Sequence, residues 1–67
     1  MKVKKLKAVN HYKVTTENNV YYMTCRIPHA WMVEKEDAET LELELIDVAP
    51  SRMQALDIIK WEEEKEA

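Results

Sequence analysis

Apolar and polar residues alternate along two stretches of this chain and then give way to a helical repeat. Between His11 and Ile27, the segments Val14-Thr15-Thr16 and Val20-Tyr21-Tyr22-Met23-Thr24-Cys25 are rich in β-branched and aromatic residues. Such residues suit a pleated, half-buried surface. Glu17-Asn18-Asn19 separates them. Asparagine tolerates positive φ better than other non-glycine residues, so Asn18-Asn19 is expected to form a two-residue type I′ turn. That turn sets Val14 opposite Met23 and Tyr12 opposite Cys25. One face then carries Tyr12, Val14, Tyr21, Met23, Cys25 and Ile27. The other carries His11, Lys13, Thr15, Tyr22, Thr24 and Arg26, which is the sorting a half-buried antiparallel pair requires.

Residues 2–9 are expected to lead into this hairpin as a continuous or bent strand. Pro28 has no N–H to give a ladder and ends the second strand. A second hairpin follows, in which Trp31 and Val33 alternate with Met32 and Glu34, and Leu41, Leu43 and Leu45 alternate with Glu42 and Glu44. A three- or five-residue loop around Glu36-Asp37-Ala38 would set Val33 opposite Leu41 and Trp31 opposite Leu43, keeping the apolar groups together. Ile46 and Val48 change parity, which points to a bulge. Ala49-Pro50-Ser51 breaks the strand, and Ser51 with Gln54 matches a capping box. Beyond it Ala55, Leu56, Ile58 and Ile59 cover an arc of about 160°, with Met53 and Trp61 outside its two edges. The pattern predicts an α+β fold: a small antiparallel sheet of about four strands in two hairpins, with one C-terminal helix. It is a single domain, 1–67, with the sheet in 1–48, the helix in 51–65 and a frayed tail at 66–67.

Size makes the partner question acute. A chain of 67 residues buries only about 60% of its unfolded surface, and such domains often lean on a disulfide, a metal or a second subunit. One cysteine, Cys25, rules out an internal disulfide. The basic opening Met1-Lys2-Val3-Lys4-Lys5-Leu6-Lys7 is not followed by an apolar export core, and no apolar run is long enough to span a bilayer. A cytoplasmic location and no membrane association are expected. There is no glycine, which excludes glycine-rich phosphate loops. Charge is unevenly spread: residues 1–26 hold six basic groups and one acidic group, whereas 27–67 hold twelve acidic groups and four basic ones.

Candidate chemistry is sparse. His11, Cys25 and His29 are the only imidazole or thiol ligands. The hairpin puts His11 and Cys25 on opposite faces, so no metal site is expected. Cys25 lies on the apolar face, away from the electropositive, exposed setting a nucleophilic thiol needs. No carboxylate pair is placed in environments that would split its pKa values. No catalytic residue, cofactor or metal is expected, and the chain is not expected to be an enzyme.

Two surfaces stand out. His11, Lys13, Tyr22 and Arg26 share the polar hairpin face, where cations beside an aromatic suit a nucleic acid or phosphorylated ligand. Trp61, Ile58, Met53 and Trp31 are candidates for an oligomer or partner interface, because Trp combines a large apolar area with a polar handle. The leading expectation is a non-enzymatic interaction protein, homodimeric, that binds or sequesters another macromolecule. A phage or mobile-element accessory protein directed at a host factor would fit that description. Binding of nucleic acid or a nucleotide through the basic sheet face is the alternative.

Overall fold

The computed structural model describes residues 1–66. Five strands, β1 (Lys2–Lys5), β2 (His11–Thr15), β3 (Val20–Ile27), β4 (Ala30–Glu36) and β5 (Leu43–Ala49), precede one helix, α1 (Arg52–Glu66). Each strand pairs antiparallel with the next, giving the sheet order β1-β2-β3-β4-β5. The α+β architecture is as the pattern predicts, with one strand more. The segment expected as a single bent strand instead reverses completely, with Leu6 N donating to His11 O (2.8 Å) and Asn10 at φ 52°. Asparagine is among the few residues that enter this left-handed region readily.

The β2–β3 turn corrects the expected type I′ geometry. Thr15 lies opposite Val20, leaving a four-residue loop, Thr16–Asn19. The Thr16 hydroxyl organises it, accepting from Asn19 N at 2.9 Å and Asn18 N at 3.3 Å. Positive φ occurs only at Asn10, His29 and Leu41 among the described residues, so Asn18 and Asn19 do not form the mirror-image turn. The register moves by two residues, and Val14 faces Tyr21. A shift of two preserves parity, so the facial sorting survives. Val14, Tyr21 and Met23 are fully buried with Val33, Ala49, Ala55 and Ile59. Cys25 is half-buried and Ile27, at the strand's end, is exposed.

The second hairpin departs further. Glu36 lies opposite Leu43 and Glu34 opposite Leu45. The loop is closed by Asp37 N donating to Glu42 O (2.8 Å), with the Asp37 carboxylate accepting from Glu39 N (2.8 Å) and Thr40 N (3.0 Å). This cap sets the loop length, so Val33 does not meet Leu41 and Trp31 does not meet Leu43. Leu43 and Leu45 point away from the helix, while Glu44 shares the helix side with Lys35. The anticipated bulge is present, opposite Val33 and Glu34; Ile46 reaches the core by alternation from Glu44, and the bulge brings Ala49 there as well.

Ser51 caps α1: its Oγ accepts from Gln54 N (3.2 Å) and Ser51 O accepts from Ala55 N (3.0 Å). The Gln54 side chain meets the Ser51 hydroxyl (3.0 Å). The helix backbone lies over β3, β4 and β5, and the Arg52 side chain reaches Tyr12 on β2. Its inward stripe is the expected one, with Ala55 and Ile59 buried and Leu56 and Ile58 packed beside them. It extends to Glu66, the first residue of the expected frayed tail; Ala67, the other residue of that expected tail, lies outside the described residues.

Candidate interaction surfaces

Because α1 covers one side of the sheet, the ladder register lays out the other side residue by residue. Lys4, Lys13, Tyr22, Glu34 and Leu45 stand opposite one another in a row across all five strands. A second row runs Lys2, Thr15, Val20, Glu36, Leu43. A shorter third row runs His11, Thr24, Met32, Val48. The open face therefore passes from cationic on β1 and β2, through aromatic on β3, to acidic on β4 and apolar on β5. Leu43 (48%), Leu45 (53%) and Val48 (48%) are all substantially exposed there.

The basic candidate site is partly assembled. The His11 and Tyr22 rings pack at a 59° tilt with centroids 6.0 Å apart, and Lys13 is directly opposite Tyr22. Arg26 is not brought in. It falls in the irregularity between Cys25 and Ile27, four residues along β3 from Tyr22, or about 13 Å. The two-residue change of register is the cause, because it sets Thr24 rather than Arg26 opposite His11. Lys2 and Lys4 take its place beside Lys13. His29, in the β3–β4 turn after Pro28, is exposed with φ 62°. Proline followed by a positive-φ residue is the type II arrangement.

The second candidate set divides. Trp31 turns inward, its ring 5.9 Å from Tyr12, whose hydroxyl accepts from Arg52 Nη1 at 2.8 Å. Met53 is exposed (75%) on the other flank of the helix from Trp61. Trp61 (60% exposed) and Ile58 line a groove of about 250 Å³ with Val48 and Pro50, edged by Asp47 and Asp57. This groove runs beside β5, which has no neighbour on its outer side.

A polar cluster that sequence reasoning missed ties the end of α1 to the sheet. Tyr21 donates to Glu63 (2.7 Å), as does Asn19 Nδ2 (2.8 Å), and Glu66 accepts from Asn19 and Lys35. Burial, reinforced by the Glu63 carboxylate, pushes the Tyr21 phenol far above its usual range. Burial alone would raise Glu63, but the polar side chains of Thr16, Asn19 and Tyr21 hold it below the ordinary carboxylate value. The Lys35 hydrogen bond lowers Glu66 and is the main reason Lys35 is raised. Spacing was the available signal: Glu63 and Glu66 lie four and seven residues after Ile59, on the same helix face.

Free Cys25 spends its thiol on Ile27 O (3.1 Å) and is across the sheet from His11. Among the described residues no three His, Cys, Asp or Glu side chains converge as a metal site. No helix among them is long and apolar enough to cross a membrane. Fold and surfaces together define a small two-layer α+β protein with one open sheet face and an exposed tryptophan groove. No family model, curated protein or solved structure matches the chain.

Proposed function

We propose that this protein is a non-enzymatic interaction module that binds another macromolecule through the groove between β5 and α1, with Trp61 as its anchor. The observation that carries this reading is Trp61, 60% exposed beside Ile58, Val48 and Pro50 and next to an unpaired strand edge. A free edge offers backbone donors and acceptors to an extended segment, and an adjacent pocket reads its side chains. Trp residues in such positions dominate binding energy at many interfaces. Asp47 and Asp57 at the rim favour a partner segment that pairs apolar with basic residues. The shifted titratable groups, Tyr21, Lys35, Asp37, Glu63 and Glu66, bond to one another or to backbone N–H groups. Their chemistry serves the fold, which supports the non-enzymatic reading. A reducing cytoplasm suits the single thiol, and sequestration of a host factor is the kind of role such a module fills.

The test is capture from a nuclease-treated lysate of the native host, with wild type and the Trp61→Ala variant as parallel baits. A protein retained by wild type and lost with Trp61→Ala is the expected result. Equal recovery on both baits removes the groove from the account.

The His11–Tyr22 ring pair with Lys13, Lys4 and Lys2 around it favours a second reading, single-stranded nucleic acid stacked on the open face. Phosphate contacts would make such binding fall steeply with salt. Oligonucleotide titration at two salt concentrations, with Lys13→Glu as control, tests it.

A further inference from the structure

We infer that the open sheet face is a self-complementary docking surface, and that its occupant is a second copy of this chain stacked about a twofold axis running along β3. This extends the interaction-module reading; the open face shares only the edge residue Val48 with the Trp61 groove, and Trp61 itself would stay outside the stacked faces on both copies.

The argument starts from the order of charges across the strands. In the central row Lys4 and Lys13 lie on one side of Tyr22, and Glu34 and Leu45 on the other. An axis along β3 places β1 on the partner's β5 and β2 on the partner's β4. Lys13 then meets the partner's Glu34, the Lys4 stem covers the partner's Leu45, and Tyr22 meets the partner's Tyr22. Each contact occurs twice, as an isologous interface demands. An axis across the strands would instead stack Lys2 and Lys4 on the partner's Lys2 and Lys4. Charge alone thus selects one orientation. Face-to-face sheets pack within about 30° of aligned, which keeps these rows in register near the axis.

Apolar area points the same way. Leu43, Leu45 and Val48 on β5 are about half exposed on this face, with Met32 on β4 and Tyr22 on β3 half-buried. Lysine stems cover apolar surface while their ammonium groups stay at the rim. Five strands at about 4.8 Å spacing and roughly 20 Å in length give a face of roughly 500 Å². Two such faces bury on the order of 1,000 Å², which reaches the lower bound for a specific interface. The resulting helix-sheet-sheet-helix sandwich gives a thin single-sided core a second layer.

Sedimentation equilibrium of the full chain tests this, with circular dichroism confirming that each variant is folded. Wild type is expected to be a dimer. Lys13→Glu alone and Glu34→Lys alone should each weaken association by about tenfold or more, because like charges then face each other. An equimolar mixture of the two variants should recover wild-type affinity, since both cross-contacts regain opposite charges. Within one chain these residues are two strands apart, about 9.6 Å, so the recovery reports the intermolecular pair. If either variant fails to fold, Thr24→Arg on the axis strand replaces it, and loss of the dimer is expected. A wild-type monomer at about 300 μM, about three hundredfold above a dissociation constant of about 1 μM, overturns the inference. So does a dimer indifferent to the substitutions, a folded mixture that fails to recover, or salt-sensitive oligonucleotide binding by a wild-type monomer.

Discussion

Tyr21 donates its phenolic hydrogen to Glu63 at 2.7 Å, joining the central strand to the last turns of a helix 42 residues further along the chain. Carboxylates near a helix C-terminus oppose the helix dipole, and Glu62, Glu63, Glu64 and Glu66 crowd that end of α1. The bonds from Tyr21, Asn19 and Lys35 offset this by giving Glu63 and Glu66 donors on the sheet. The acidic helix end is thereby held on its own sheet.

Removing the phenolic hydroxyl should expose this dependence. Tyr21→Phe keeps the buried ring and deletes one hydrogen bond to a charged group, at an expected cost of about 1.5 kcal/mol. Urea unfolding with fluorescence detection checks it. A midpoint equal to that of wild type would show that water replaces the hydroxyl without loss.

Stability should fall at both ends of the pH scale. Glu63 and Glu66 hold their protons less tightly when folded, against an ordinary value of 4.5, and Asp37 does so through its bonds from the Thr40 and Glu39 N–H groups. Their contribution is complete above the unfolded values and is lost as pH falls through the depressed folded ones. Tyr21 and Lys35 are raised from 10.0 and 10.5, so their contribution is complete below those values and is lost as pH rises beyond them. Thermal melts across pH should show a plateau between these limits, and Glu63→Gln should flatten the acid limb. A melting temperature that climbs on acidification below about pH 4 would contradict the assignment.

Leu41 adopts φ 63° at the end of the Asp37-capped loop, with its side chain exposed. Left-handed backbone costs an L-residue about 1–2 kcal/mol, and asparagine bears it better than leucine. Leu41→Asn should raise stability by about 0.5–1 kcal/mol, read as a higher denaturant midpoint. An unchanged or lower midpoint would mean that the leucine side chain has a stabilising contact in solution.

The two flanks of α1 should respond differently to truncation. Ile59 is fully buried, and Ile59→Ala should cost about 2–5 kcal/mol. Trp61→Ala should stay within about 0.5 kcal/mol of wild type, so that any binding it abolishes is lost at the groove itself. Paired thermal and chemical denaturation of the two variants decides this. A large loss from Trp61→Ala would make the indole part of the core.

Local pattern by itself determined which side chains of the first hairpin face the core, where the helix begins, and which residues of the helix point inward. Strand parity has period two, so an error of two residues in the β2–β3 register left the paired side chains from His11 to Thr15 and from Val20 to Cys25 on their expected faces. Ser51 and the Ala55-Ile58-Ile59 stripe act within a turn or two of their own positions, and nothing distant competes with them. The tertiary structure decided the rest. Alternating Leu41, Leu43 and Leu45 mark a strand but carry no sign for which face is inward. Asp37's side chain settled that by capping the loop at a length that turns Leu43 and Leu45 outward. Arg26 was separated from His11, and Glu63 was joined to Tyr21, by registers and packing that link residues far apart in the chain. Short-range preferences are written in neighbouring residues, whereas the composition of a surface depends on how distant segments are brought together.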